Sequence, residues 1–468
     1  MVVHDLATFV KNADYEDLSE QAVKQLKIRL LDSLGTAIGA IEGPPVQAIR
    51  SMIDDYLGGT QLSTLIGGGK TTPERAALYN SALVRYLDFN DSYLAKGETC
   101  HPSDNIGSIL AAGENTDIIG KEFLTSLAIA YQIQCRLSDE APVRDKGFDH
   151  TTQGSYAVAA GVSRALGLDE EQTANAIAIA GTALNALRVT RTGALSNWKG
   201  LAYPHTAFGG THAALMAKHG ITGPPAVFEG NKGFMDSIAG KFSIDWQNED
   251  LERVTNTIIK KYNAEIHSQS SIEGMIELKK QHCFTAEEVM KIDIEIFDVA
   301  YHIIGGGEEG DKTVVRTKEE ADHSLQYMVS AALLDGQVLP EQYRPNRIEA
   351  ADIQSLLQKV EVTPRQEYSD RFPDEMPVKI TVHLMNGQKH EIEKQDYEGF
   401  HTRPMNWDTV TQKFIGLAEP YTSQKLRERI VNTVQDLENH SIRELTNLLQ
   451  KVELVSHVST NQKEELKR

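Results

Sequence analysis

The hydrophobic period of this chain changes once along its length and changes back near the end, and that restricts the fold more than any single motif. Up to about residue 265 the apolar residues recur at helical spacing. Asp17-Leu18-Ser19-Glu20 is a capping signal ahead of Ala22, Leu26, Leu30 and Leu34, a stripe expected to break at Gly35. Thr71-Thr72-Pro73-Glu74 opens a second helix through Leu78, Leu83 and Leu87, with proline in the first turn, where its missing N–H costs nothing. Asp169-Glu170-Glu171-Gln172 opens a third, whose body from Ala174 to Leu184 is apolar nearly all round and is expected to be buried on every side.

The pattern then alternates. Ile292, Ile294 and Ile296 interleave with acids, and Val378, Ile380, Val382 and Leu384 alternate up to Asn386-Gly387, after which His390 and Ile392 continue. Asn-Gly between alternating runs predicts a hairpin, because both residues tolerate the left-handed backbone of the tight turn. Val360 and Val362 predict a further strand, and Ser324 to Leu334 a helix between them. Helical spacing returns in Leu426, Ile430, Val434 and Leu437, and after the cap Ser441-Ile442-Arg443-Glu444 it runs through Leu445, Leu448 and Val452. The polar tail from Ser459 is expected to fray. At 468 residues the chain is long enough for two cores. The expected fold is mainly α: a large all-helical domain, residues 1–267, with 401–468 packing back onto it, and a smaller α+β lid domain, residues 268–400.

Charge narrows the function classes. Lys+Arg number 47 and Asp+Glu 66, a formal charge of −19, which disfavours nucleic acid and anionic membrane surfaces as partners. A polyanionic ligand would need a locally basic site. The N-terminus has no cationic region followed by an apolar run, and no stretch of about 18 apolar residues occurs, so a cytoplasmic protein is expected. Cys100, Cys135 and Cys283 are odd in number and far apart, which fits free thiols.

Several familiar motifs fail on inspection. Ile66-Gly67-Gly68-Gly69-Lys70-Thr71 lacks the leading glycine of a phosphate loop, since that position is Thr64. Gly305-Gly306-Gly307-Glu308-Glu309-Gly310 fits G-x-G-x-x-G after a plausible strand, but places two acids where a pyrophosphate would lie and has no helix start behind it. The cysteines lack iron–sulfur spacing, and His101, His150, His205 and His267 are scattered singly, without a zinc pattern. No metal and no cofactor are therefore expected, and any chemistry would run on side chains.

The segment Tyr86-Leu87-Asp88-Phe89-Asn90-Asp91-Ser92-Tyr93, followed by Gly97-Glu98-Thr99-Cys100-His101-Pro102-Ser103-Asp104-Asn105, is polar and rich in turn formers between two apolar helices. Pro102 can start the helix through Ile106 and Leu110, leaving His101 beside a helix N-terminus, where a ligand carboxylate is favoured and an imidazolium is not. By composition alone the segment reads rather as a surface turn with a solvated histidine.

Leu87 to Asp91 together with His101-Pro102-Ser103-Asp104-Asn105-Ile106-Gly107 resembles the signature of the MmgE/PrpD family. Asn197-Trp198-Lys199-Gly200, Gly230 to Phe234, Lys261-Tyr262 with His267, Ala321 to Met328, and Gly399 to Trp407 resemble further family blocks in the same order, so the likeness spans the chain. The resemblance implies a helical domain with an α+β lid, a homodimer, and a lyase acting on a tricarboxylate without metal. It implies a site between the domains built from Asp91, His101, Lys199, His267 and Tyr327. In that reading His101 is the principal acid/base and Asp91 orients it. Lys199 binds a carboxylate, His267 and Tyr327 form a second proton-transfer pair, and Arg188, Arg191 and Ser103 contact the substrate. Read singly, each has an ordinary structural role: Asp91 as a cap, Lys199 as a loop charge, His267 as a junction histidine, Tyr327 as a core aromatic. Asp104-Asn105 after the His-Pro-Ser run resembles the 2-methylcitrate dehydratase branch, and cis-aconitate decarboxylation on the same scaffold is the nearest alternative.

Overall fold

A computed structural model describes residues 1–453 apart from 57, 59, 194, 308 and 309; the expected frayed tail lies outside them. The capping signals act where they were expected. Ser19 accepts from the Ala22 N–H to start the helix Glu20–Gly39, Pro73 opens Pro73–Tyr86, and reciprocal capping boxes start Glu170–Ala183 and Ile442–Leu449.

Gly35 does not end its helix, which continues to Gly39. A Cβ there would sit 3.0 Å from the Phe414 Cα of the helix Trp407–Ala418, so the glycine marks a close helix crossing. The Glu170–Ala183 helix is not buried all round either, since Thr182 and Ala183 are exposed. Gly67-Gly68-Gly69 is the turn between the two-residue strands Ser63–Thr64 and Lys70–Thr71. The strand ahead of Gly305 is separated from it by the helical turns Asp298–Ala300 and Tyr301–Gly305, and Glu308 and Glu309 lie outside the described residues.

Two large hydrophobic cores are present among the described residues, with a small third cluster of Tyr93, Ala95, Cys100 and Cys135. The larger joins helices from Val3 to Ile259 with the C-terminal segment Met405 to Val452. The smaller begins at Ile258, ahead of the boundary at 268 read from the pattern, because Tyr262, Ala264 and Ile266 already face the lid interior, and it ends at Phe400. Its sheet is mixed, in the order Val360–Pro364, Val289–Ile296, Val378–Leu384, Lys389–Lys394. The first pair is parallel and the others antiparallel, with Ile380 opposite Ile392 across the Asn386-Gly387 hairpin. Strand Val378–Leu384 buries every second residue, as the sequence alternation requires. No helix among the described residues is long and apolar enough to cross a membrane.

The C-terminal segment is locked to the first domain at one tight point. Gly120, the first residue of the helix Gly120–Glu140, donates to His440 O at 2.8 Å, and a Cβ on it would lie 1.8 Å from Leu437 O. Main chain cannot move aside as a flexible side chain can. Gly120→Ala is therefore expected to cost about 3 kcal/mol, the upper end of ordinary overpacking, read as a lower urea midpoint; an unchanged midpoint would contradict this account of the docking.

Candidate active site

His101 reaches the domain seam through a polar but buried segment. Beyond Tyr86 the chain turns at Asp88, whose left-handed backbone (φ 55°) aims its carboxylate inward, a conformation that non-glycine residues adopt at a cost. The hairpin Tyr93–Ala95/Glu98–Cys100 then leads to His101 and the turn Pro102–Asn105. The polarity that reads as solvent exposure in sequence is satisfied internally: Asn90 donates to Ser103 Oγ and to Asp104 Oδ1, and Asn105 donates to Gln134.

The His101 ring is oriented by the main chain. Its Nδ1 lies 2.8 Å from Asp91 O and 3.1 Å from Ser92 Oγ. A carbonyl only accepts, so the Nδ1 proton points to it and Nε2 keeps its lone pair. Burial, reinforced by Arg85 and Lys260, holds the imidazole well below its ordinary 6.5, so it is neutral near pH 7.

Across the seam, the turn Ile266–Ser268 places His267. Its Nδ1 lies 2.7 Å from Glu265 Oε1, and its own N–H donates to Glu265 Oε2, also at 2.7 Å. The Nε2 is buried without a hydrogen-bond partner among the described residues. Burial alone would raise Glu265, but His267, His323 and Lys260 outweigh it and hold the acid near 2, so the dyad carries a carboxylate. The Phe297 and Phe372 rings flank the imidazole, with centroids 5.7 and 5.6 Å away.

Both histidines face one cavity of about 50 Å³ between the domains. Its wall carries the cations Arg85, Arg144, Arg188, Arg191 and Lys260, against the carboxylates of Asp88, Glu98 and Glu265. A chain of net charge −19 thus contains a locally basic pocket. In this closed arrangement the pocket holds little more than ordered water, so admitting a larger ligand requires the wall to part. Arg191 is fixed by Asp149, with Nε 2.5 Å from Oδ2. His150 lies edge-on to His101, 5.5 Å between centroids, and burial pulls it down to about 3.

The expected site residues separate into two groups. His101, His267, Arg188 and Arg191 line the cavity. Asp91 lies behind it: its carboxylate accepts from Ser103 N–H and Oγ–H and from Tyr131 O–H, so only its carbonyl touches His101. Ser103 is likewise behind the wall. Tyr327 is inside the lid core, its hydroxyl donating to Gln342 O. Lys199 is 3% exposed, with Nζ 3.1 Å from Asp88 Oδ2 and 2.9 Å from both Asp322 Oδ1 and His323 Nδ1. Asp88, Asp322 and His323 converge as metal ligands do, and the positive charge they surround is the Lys199 ammonium.

Arg85, His150, Lys260, Glu265 and His323 were not singled out by sequence reasoning. The Glu265-x-His267 spacing was a usable signal, because two residues suffice for a carboxylate to reach a following imidazole. Lys260, which donates to Asp88 O at 2.8 Å and Oδ1 at 2.6 Å, is indistinguishable in sequence from Lys261, which faces the lid acids Glu273 and Glu398.

Residues 4–247 match the MmgE/PrpD N-terminal domain and residues 262–439 the MmgE/PrpD C-terminal domain. A 2-methylcitrate dehydratase of Escherichia coli is 28% identical over 429 residues, covering 85% of this chain and 86% of that protein. A mitochondrial 2-methylcitrate dehydratase of Yarrowia lipolytica is 29% identical over 397 residues, 79% of this chain and 74% of that protein. An alkylcitrate dehydratase of a fungal species is 28% identical over 424 residues, 84% and 82% of the two chains. With both domains matched in order and a basic, histidine-lined cavity between the two cores, this chain belongs to the MmgE/PrpD family and is an enzyme of the lyase kind.

Proposed function

We propose that the chain is a 2-methylcitrate dehydratase, eliminating water from 2-methylcitrate, with citrate as a second substrate, to give 2-methyl-cis-aconitate. The observation that carries this reading is the pair of imidazoles facing one basic cavity with contrasting partners at Nδ1: a carbonyl for His101 and a carboxylate for His267. Neighbouring titratable groups with opposed environments divide acid and base roles.

The reaction removes a weakly acidic proton beside a carboxylate and expels hydroxide from the adjacent carbon. Neutral His101 takes the C–H proton on Nε2. Negative charge then gathers on the substrate carboxylate, where Arg85, Arg188, Arg191 and Lys260 offset it in a cavity poor in water. The C–O bond breaks as His267, supported by the Glu265 carboxylate, gives its Nε2 proton to the departing hydroxide, which leaves as water. His101 then gives its proton to solvent and His267 takes one up from it, which restores the starting protonation states.

Separate incubation with 2-methylcitrate, citrate and cis-aconitate, following alkene absorbance and carbon dioxide, tests the assignment. Alkene formation from 2-methylcitrate is expected. Carbon dioxide from cis-aconitate with no dehydration would replace the reading with decarboxylation, and tricarboxylate binding without turnover of any of them would leave a non-catalytic scaffold. The pH profile is a further check. A base must be deprotonated to act, and His101 lies well below 6.5. The acid limb of kcat/KM is therefore expected below the usual histidine range, and a limb at or above 6.5 would remove His101 from the base role.

A further inference from the structure

Of the three acids in the cavity wall, Glu265 supports His267 and Asp88 is paired with Arg85, Lys199 and Lys260, while Glu98 has no part in the elimination. Glu98 begins the strand that delivers His101, is 3% exposed, and faces the same space as His101 and His150. Main-chain N–H groups of Val143 and Arg144 both donate to its Oε2, at 3.2 and 3.0 Å. Both bonds end on the same oxygen, Oε2, and the Gln153 side chain is a further hydrogen-bond partner of the carboxyl. Glu98 joins none of the ion pairs of the cavity among the described residues. An ionised carboxylate here would repel a polycarboxylate ligand, whereas a carboxylic acid would offer it a short, charge-assisted O–H···O⁻ bond.

We infer that Glu98 meets the ligand as a neutral acid, donating its Oε1 proton to one carboxylate of a bound polycarboxylate, so that binding above neutrality takes up a proton. This rests on the polycarboxylate reading of the cavity and not on the elimination step.

The surroundings agree. Burial raises Glu98 most, Asp149 adds to it, and the Val143 N–H, Arg188 and Gln153 oppose, leaving the group at about 7. Asp149 stays ionised because Arg191 and Arg188 outweigh its burial. His101 and His150 are held neutral by burial, so these two neighbours keep their charge state as Glu98 titrates. The sign follows: below about pH 7 the proton is already in place and affinity is level, while above it each pH unit removes about tenfold of the competent form.

Propane-1,2,3-tricarboxylate has no hydroxyl to eliminate and serves as the probe, titrated calorimetrically into the full chain between pH 7 and 9. Kd is expected to rise towards tenfold per unit at the alkaline end. Heats measured at pH 8 in buffers of different ionisation enthalpy should report uptake of close to one proton. Glu98→Gln keeps an acceptor for the two N–H groups and a neutral donor, so its Kd should be flat and its proton uptake absent. A flat Kd and no uptake in the wild type, or uptake that persists in Glu98→Gln, overturns the inference. The wild-type proton count decides even if the variant fails to fold. Absence of binding at every pH would instead overturn the polycarboxylate reading, and this inference with it.

Discussion

Replacing His101 with asparagine is expected to lower kcat on 2-methylcitrate by about 10²–10⁴, the contribution of a positioned base, with KM changed far less. Asparagine can still donate from its amide towards Asp91 O, so the segment keeps its local hydrogen bond while losing the ring nitrogen that takes the proton. His101 is buried at the mouth of the turn Pro102–Asn105, and the smaller side chain leaves the surrounding network of Asn90, Ser103 and Asp91 untouched. Melting should therefore stay near that of the wild type. Turnover within tenfold of wild type, with normal melting, would exclude His101 as the base.

Lys199→Met should behave in the opposite way, losing stability before chemistry. The ammonium bridges Asp88 of the helical domain and Asp322 of the lid, both buried, and removing one member of a buried pair typically costs about 3–5 kcal/mol because the partner charge is left uncompensated. The lower part of that range is expected. Asp88 keeps Arg85 and Lys260, each at 2.6 Å, and Asp322 keeps Lys318, also at 2.6 Å. A clear drop in the urea midpoint is the predicted result, with the folded fraction still binding tricarboxylate. Collapsed turnover at an unchanged midpoint would instead place Lys199 in contact with substrate, as the family resemblance suggested.

These two residues show why part of the site was legible in sequence and part was not. His101 stands in a local signal: a His-Pro pair ahead of a helix, whose backbone geometry is set by the residues beside it. The partner that orients His101, the Asp91 carbonyl, was hidden because main-chain acceptors have no letter in the sequence; the Asp91 side chain was an apparent candidate and is directed elsewhere. For Lys199, the deciding neighbours are 111 and 123 residues away along the chain, Asp88 and Asp322, and no spacing rule reports such a contact. Tyr327 was placed in the site by resemblance, yet its hydroxyl satisfies Gln342 within the lid, as a buried phenol must find some partner.

Sequence by itself determined the elements: Ser19, Pro73, Asp169 and Ser441 as helix starts, Asn386-Gly387 as a hairpin, and the mainly helical class with a smaller α+β region. Each depends on residues within about four positions, where period, caps and turn preferences act directly. Only the tertiary structure decided that Gly35 is a crossing point and not a break, because the close partner, Phe414, belongs to a distant helix. It also decided which cations meet in the cavity. Burial and Coulomb interactions depend on distance in space, so the same lysine is a cavity wall at Lys260, a strut at Lys199 and a rim charge at Lys261.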